Sequence, residues 1–423
     1  MLVSMLTSNN NRPQVEVKVT TTSFGSYFEY PKPEIEVADI FRWYGEEYRR
    51  KHPLTRPQLQ VMRDIEQCRT SALGGHVDQC DQCGVKRISY NSCRNRHCPK
   101  CQGSQRERWL ETQRAALLPI EYYHVVFTLP EELNVLAQWN PRFCYTLLFQ
   151  AASATLLEFG QRHLDGEIGI TAVLHTWGQA LQLHPHVHCI VTGGALAADG
   201  RSWKSCPSGF LFPVRALSEV FRGKYCAGLQ RALADGELQL PPAGEWSDPA
   251  RSWELVAELA GRDWVVYAKR PVAGAEQTLE YLSRYTHSVA ISNWRIVSVE
   301  EGKVSFRWKD YRDDEREKIM TLDAEEFIRR FLLHVLPAGL VRIRHYGVLA
   351  NGRREKRLAE WRELLAAKPV AVESEKTEMA EQVEKEGPDE QCPCCGKGRM
   401  IRLYELARSG SPPLQTLCLK LAA

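Results

Sequence analysis

From Tyr122 to Leu129 the chain alternates Tyr123, Val125, Phe127 and Leu129 against Tyr122, His124, Val126 and Thr128, the two-residue period of a β-strand. Ile170 to Trp177 and Leu183 to Val191 read as two more strands, joined by a link short enough for antiparallel pairing. Shorter strands are expected over Trp264 to Ala268, Ala290 to Ser298 and Lys303 to Trp308. Helical spacing accounts for much of the remainder. Ile35 to Lys51 gathers Ile40, Phe41, Tyr44 and Tyr48 on one side, and a second helix begins at Thr55, with Pro57 in its first turn and Leu59, Met62 and Ile65 as its buried stripe. A polar helix is expected from Gln102 to Leu118 and an apolar one from Asn140 to Phe159. Others follow over Val214 to Leu233, Ala275 to Tyr285 and Ala324 to Leu336. Strands and helices interleave without the regular spacing of a parallel α/β domain, so the expected class is α+β.

These patterns divide the chain into five parts: a flexible, aperiodic arm (1–34), a helical and cysteine-rich part (35–118), a mixed domain carrying the strands (119–362), an acidic linker (363–390) and a cysteine-bearing tail (391–423). At 423 residues with 43% hydrophobic and 25% charged positions, the composition is that of a soluble globular protein. No apolar run reaches membrane-spanning length, and Met1 to Asn10 is too short and polar for a secretion signal, so a cytoplasmic protein without a membrane partner is expected.

Fourteen cysteines in a reducing compartment need a reason, and tight clusters there more often bind metal than form disulfides. Cys144, Cys189 and Cys226 stand singly in apolar stretches and read as core residues. Cys80-Asp-Gln-Cys83 and Cys98-Pro-Lys-Cys101 are two Cys-x-x-Cys knuckles; their spacing predicts one structural zinc ion held by all four thiolates in a zinc ribbon. Cys68, His76, Cys93 and His97 surround this block and could make a second zinc site, or lie in the core or against DNA. The tail holds one further pair, Cys392 and Cys395, with no partner pair after it.

Charge is unevenly placed. Lys86, Arg87, Arg94, Arg96, Lys100, Arg106 and Arg108 cluster around the knuckles, and Arg342, Arg344, Arg353, Arg354, Lys356 and Arg357 form a second patch, so the formal net charge of +3 hides two basic regions suited to phosphate contact. In Leu183-His-Pro-His-Val-His-Cys-Ile-Val191, alternate side chains share a face, so His184, His186 and His188 point together while Val187, Cys189 and Val191 anchor the strand. Two imidazoles at i and i+2 can grip one divalent ion. The third ligand stays open among His184, the nearest, and Gln179, Gln277, Glu280 and His124. An all-histidine grip could suit zinc, whereas nuclease chemistry usually calls for magnesium or manganese with at least one oxygen ligand. Tyr281 and Tyr285 fall one turn apart on the Ala275 to Tyr285 helix, where a phenolate could attack a polarised phosphodiester.

HPHVH resembles the His-hydrophobe-His motif of HUH endonucleases. Together with YLSRY, the SCRNRHCPKCQ block and RHYG at Arg344 to Gly347, the chain from roughly Val37 to Arg357 resembles the rolling-circle, two-tyrosine transposases of the IS ninety-one family. The resemblance implies a five-stranded antiparallel sheet with the histidines on a central strand and helices against it. It also implies 5′-phosphotyrosine chemistry on single-stranded ends of a bacterial insertion sequence, with His186 and His188 binding metal and Tyr281 and Tyr285 as nucleophiles. Single- and double-stranded DNA are the implied partners, with a host helicase to unwind the strands and the nucleoid as the place of work. Arg344 and His345 are expected at the DNA. Two other readings remain: a plasmid relaxase or replication initiator of the same chemistry, and a non-catalytic zinc-ribbon DNA-binding regulator.

Overall fold

The computed structural model describes residues 18–22, 25–29, 33–102, 110–111, 117–197, 199–200, 202–207, 211–269, 289–311, 313–350, 352, 354–366 and 391–409. In chain order its strands are β1 (Lys18–Thr22), β2 (Gly25–Glu29), β3 (Gly75–Cys80), β4 (Lys86–Tyr90), β5 (Tyr122–Thr128), β6 (Gly166–Glu167), β7 (Gly169–Trp177), β8 (Leu183–Thr192), β9 (Gly194–Ala197), β10 (Trp203–Ser205), β11 (Val266–Lys269), β12 (Ile296–Glu300), β13 (Lys303–Asp310), β14 (Arg316–Asp323), β15 (Ile343–Gly347) and β16 (Met400–Leu406). The α-helices are α1 (Val37–Lys51), α2 (Arg56–Gln67), α3 (Asn134–Trp139), α4 (Pro141–Leu164), α5 (Val214–Ala234), α6 (Pro249–Ala260), α7 (Ala324–Leu332) and α8 (Arg354–Ala366). Among the described residues no helix is long and apolar enough to cross a membrane.

The central sheet has the order β11-β5-β8-β7-β15, antiparallel throughout, with the histidine strand β8 in the middle. The period of two sorts its faces. Tyr123, Val125 and Phe127 of β5, Val187, Cys189 and Val191 of β8, and Ile170, Ala172 and Leu174 of β7 all enter one core, covered by α4, α5 and α6. Helix α4 is buried over much of its length, as its largely apolar sequence requires. Cys144, Cys189 and Cys226 lie in this core as expected. The opposite face of the sheet is left for the histidines. The class is α+β, as the interleaved pattern indicated.

A second core joins parts far apart in sequence. Ile40, Phe41, Val61, Met62 and Ile65 of α1 and α2 pack with Val304 and Phe306 of β13 and Phe327, Ile328 and Phe331 of α7. Phe41 and Phe331 meet edge to face at 5.3 Å. Helix α2 starts where the sequence indicated: Thr55 and Gln58 form a reciprocal capping box and Pro57 sits in the first turn. Leu59, however, is on the solvent side; Val61 takes the third buried place in the stripe. A strand not expected from the sequence, β14, pairs with β13 along eight residues; its buried alternation is weak because one face is open to solvent.

Two segments depart from their sequence reading. Part of the aperiodic arm is a hairpin, β1 against β2, with β2 joining β4 in parallel through Tyr27 and Lys86. The tail is no separate appendage. Its strand β16 pairs antiparallel with β3, completing the sheet β1-β2-β4-β3-β16. The acidic residues of 371–390, Arg106, Arg108 and most of the Gln102 to Leu118 helix lie outside the described residues, as does the whole helix Ala275 to Tyr285.

Candidate metal centre

The β7–β8 hairpin builds the centre. Its register sets His175 opposite His186 and Val173 opposite His188, on the face turned away from the core. His175, His186 and His188 converge there, each presenting one ring nitrogen, all within 4.8 Å of one another. His184 is not part of this group. Its ring lies beyond the group, exposed at the end of the row, and what it contributes is its backbone carbonyl, which accepts a hydrogen bond from His186 Nδ1 at 2.6 Å. That bond fixes the tautomer and leaves His186 Nε2 available. His188 Nδ1 pairs with His124 Nε2 at 2.8 Å, the two rings stacked nearly parallel, so His124 orients His188 from the neighbouring strand. His175 lies against Trp177, ring centroids 4.6 Å apart.

Burial, and then the neighbouring imidazoles, hold His188 well below the usual histidine range. Desolvation and His184 bring His186 down to about 4. Both are neutral near pH 7, the form a metal requires. Gln179 lies elsewhere, donating toward the Tyr311 hydroxyl at 3.4 Å. Gln277 and Glu280, the other candidates for a third ligand, fall outside the described residues with Tyr281 and Tyr285.

The hairpin is tied into the second core. Leu181, in its turn, takes a left-handed backbone (φ 61°) yet is fully buried with α1 and α7. Such a conformation costs a non-glycine residue about 1–3 kcal/mol and persists only where surroundings dictate it. His334 fixes it further: Nε2–H donates to the Leu181 carbonyl at 3.1 Å, while Nδ1 meets the Thr176 hydroxyl at 3.3 Å.

The cysteines combine differently from the expected ribbon. Cys98 and Cys101 join Cys68 and Cys93, with Sγ separations of 3.5 Å (Cys68–Cys101) and 3.6 Å (Cys93–Cys101). Four sulfurs about 2.3 Å from a zinc ion sit about 3.8 Å apart, so the group fits a closed structural zinc site. Cys80 and Cys83 are not part of it, because the β3–β4 hairpin intervenes. Cys68 and Cys93 flank its base, whereas Cys80 and Cys83 lie at its tip, a six-residue strand or about 20 Å away. They face Cys392 and Cys395 of the tail instead.

Neither histidine considered with them belongs to either cysteine group. His76 Nε2 stands 3.3 Å from the Asp78 carboxylate, and His97 is half-buried, its Nε2 accepting from the Leu336 amide at 3.4 Å. Desolvation, with Arg96 and Arg342 nearby, pushes His97 down to about 3.

Several of the basic residues are engaged within the protein. Arg96 donates to the carbonyls of Leu340 and Pro337 at 2.5 and 3.1 Å, and Lys100 pairs with Glu36 at 2.6 Å. Arg96 therefore braces the cysteine knuckle against the chain before β15. Arg87 lies 3.4 Å from Asp78; Lys86 and Arg94 are on the surface of the same hairpin region. Arg344 covers the Phe149 ring at 4.3 Å, and His345 pairs with Thr171 at 3.0 Å, on the face of the histidines. Gly347 closes the motif because its backbone is left-handed and a Cβ would stand 1.9 Å from the Ile168 carbonyl oxygen.

Sequence reasoning missed His175 as a member of the histidine group, although its place was within reach. A short antiparallel hairpin between the two expected strands brings it opposite the row of histidines, on their side of the sheet. The Cys80–Cys392 association had a fainter signal, a repeated Cys-x-x-Cys-Gly.

Comparisons with known proteins agree with this division. A family model described as "Putative transposase" matches residues 169–357, which include both strands of the histidine hairpin, and a "Transposase zinc-binding domain" model matches residues 40–129. A protein of Sinorhizobium fredii (strain NBRC 101917 / NGR234), "Putative transposase y4qJ", is 50% identical over 386 residues, covering 89% of this chain and 97% of its own length. The transposase for insertion sequence element IS801 of Pseudomonas savastanoi pv. phaseolicola is 28% identical over 301 residues, 70% of each chain. A solved structure of the conjugative relaxase TrwC with oriT DNA is 12% identical and covers 56% of this chain and 96% of that one, at a TM-score of 0.22, too low to carry an argument. The half-identical relative spans almost the entire molecule, and the two models fall on the cysteine-rich part and the histidine sheet: the chain belongs to the IS ninety-one family of transposases.

Proposed function

We propose that this transposase cleaves and rejoins single-stranded DNA at the ends of an insertion sequence, with Tyr281 and Tyr285 as nucleophiles and a divalent ion held by His175, His186 and His188. The observation that carries the reading is the convergence of three imidazoles, two of them with their opposite nitrogens engaged: His186 on a carbonyl and His188 on His124. The donor set fits a divalent ion, and with three nitrogens and no carboxylate it suits manganese better than magnesium. Such an ion supplies polarisation of a phosphodiester oxygen and offsets charge building at phosphorus.

The chain's own residues do the rest. A tyrosine phenolate forms an O–P bond while the bond from phosphorus to the 3′ oxygen breaks, and the phenol's proton ends on the departing 3′ hydroxyl. Rejoining reverses this: the 3′ hydroxyl of another strand displaces the phenolate. No external energy source enters, because the phosphotyrosine keeps the bond energy. Two tyrosines four positions apart in the sequence would let two ends be held together. Basic residues of the hairpin region, Lys86, Arg87 and Arg94, and His345 on the face of the histidines would meet the DNA backbone.

Incubation with end-sequence single-stranded oligonucleotides and manganese, followed by mass spectrometry, is expected to find a covalent adduct on Tyr281 or Tyr285. The double variant Tyr281→Phe/Tyr285→Phe is expected to give none. An adduct on neither tyrosine would remove the catalytic assignment.

A further inference from the structure

We infer that Cys80, Cys83, Cys392 and Cys395 bind a second structural zinc ion, one that fastens the tail of the chain to the cysteine-rich part near its start. The matched zinc-binding segment ends at residue 129 and so contains only half of these ligands. Cys80 and Cys395 have their sulfurs 3.8 Å apart, and Cys83 and Cys392 3.6 Å, close to the edge of a zinc–thiolate tetrahedron (about 3.8 Å).

The backbone supports the same conclusion independently of those separations. Both halves are Cys-x-x-Cys-Gly, Cys80 to Gly84 and Cys392 to Gly396, and each glycine is left-handed, at φ 71° and 63°. In each the glycine amide returns to the carbonyl of the first cysteine, at 3.1 and 2.9 Å. Amides also point at the sulfurs: Gln82 and Cys83 at Cys80 Sγ, and Gly398 at Cys395 Sγ, all 3.4 Å. Amide hydrogens directed at sulfur favour the thiolate, the form that binds zinc. The two knuckles are therefore equivalent turns brought face to face. They are also stitched together, since the Asp81 amide donates to the Arg399 carbonyl (3.1 Å) and the Arg399 amide to Asp81 Oδ1 (2.8 Å). Gly398 is needed because a Cβ there would stand 2.4 Å from Cys80 Sγ.

The ion would do for this corner what a hydrophobic core does elsewhere. The apolar cluster around it is tiny: Cys80, Val85 and Cys392, with Cys395 and Met400 at its margin. Strand β16 is largely exposed, Ile401, Leu403 and Tyr404 included, so little apolar burial holds it on the edge of β3. Metal ligation across more than three hundred residues closes a very long loop and fixes the strand's register. With β16 in place, Met400, Arg402 and Arg408 become part of the wall of a cleft of about 1740 Å³ beside α1 and β4.

The test is a zinc count on the full-length protein by mass spectrometry of the metal, with amide hydrogen exchange alongside. Cys392→Ser/Cys395→Ser is expected to lose one zinc per chain and to raise exchange in β3 and β16 at least tenfold, leaving α1, α2 and the central sheet unchanged. Cys80→Ser/Cys83→Ser should lose the same single zinc, and the quadruple variant no more than one, because the four residues share one ion. Wild-type zinc content in Cys392→Ser/Cys395→Ser, or loss of two ions in the quadruple variant, overturns the inference. The readout is independent of DNA cleavage, so failure of the tyrosine assignment leaves it standing, and the reverse also holds.

Discussion

The histidine centre and the cysteine clusters both gather metal-competent side chains, but they hold them by different means. His175, His186 and His188 come from two adjacent strands of one hairpin, fourteen positions from first to last, in a sheet backed by the largest core. The sheet's hydrogen bonds place those rings with or without an ion. Cys68, Cys93, Cys98 and Cys101 come from loops around a small hairpin, and Cys80, Cys83, Cys392 and Cys395 from opposite ends of the chain. Apart from Cys80, the last residue of β3, they lie outside regular elements, so ligation itself would contribute folding energy. A site on rigid strands suits chemistry that repeats; a site in loops suits a staple.

That contrast can be broken by experiment. The largest effect is expected from His186→Ala, which should lower single-strand cleavage by roughly a thousandfold or more while leaving the zinc of the cysteine clusters untouched. A parallel loss of zinc would mean that the two regions are not independent. Phe331→Ala should cost about 3–5 kcal/mol by opening a cavity in the second core, which also contains Cys98 and Cys101. In urea, zinc release is then expected at lower denaturant.

The roles around the centre separate by degree. His175→Ala should reduce manganese affinity as severely as loss of His188, as calorimetry can measure. His124→Ala, which removes only an orienting partner, should cost about 10–100-fold. His184→Ala should change affinity little, since its carbonyl remains. Equal effects at His175 and His184 would undo the assignment of the third ligand.

The smallest effect is on pH dependence. Burial holds His334 down to about 4, against an unfolded value of about 6.5. The unfolded chain therefore takes up this proton first as pH falls. Its contribution is level above about pH 6.5 and falls by about 1.4 kcal/mol per pH unit between there and about pH 4. Urea unfolding across this range should show the slope, and His334→Gln should flatten it by one proton.

Much of this was legible in the sequence because its physical cause is local. The alternation through Tyr122 to Leu129 and Leu183 to Val191 puts apolar groups on one face of any strand, so the core side of β5 and β8 and the shared side of His186 and His188 followed at once. The capping box at Thr55 needs only Gln58 and Pro57 nearby. Leu59 was misplaced because period alone does not say how wide the buried stripe is. His175 was missed because its role depends on register, a property of two strands, although the hairpin that sets it was expected.

The sequence by itself determined the class of the fold, the face that carries the histidines, and the presence of thiolate zinc. Tertiary structure alone decided which cysteines share an ion, that α1 and α2 complete their core with α7, and that β16 joins β3. The reason is distance along the chain. Period and spacing report what a few neighbouring residues do to one another, whereas Cys80 meets Cys395, and Phe41 meets Phe331, only after the elements between them have packed.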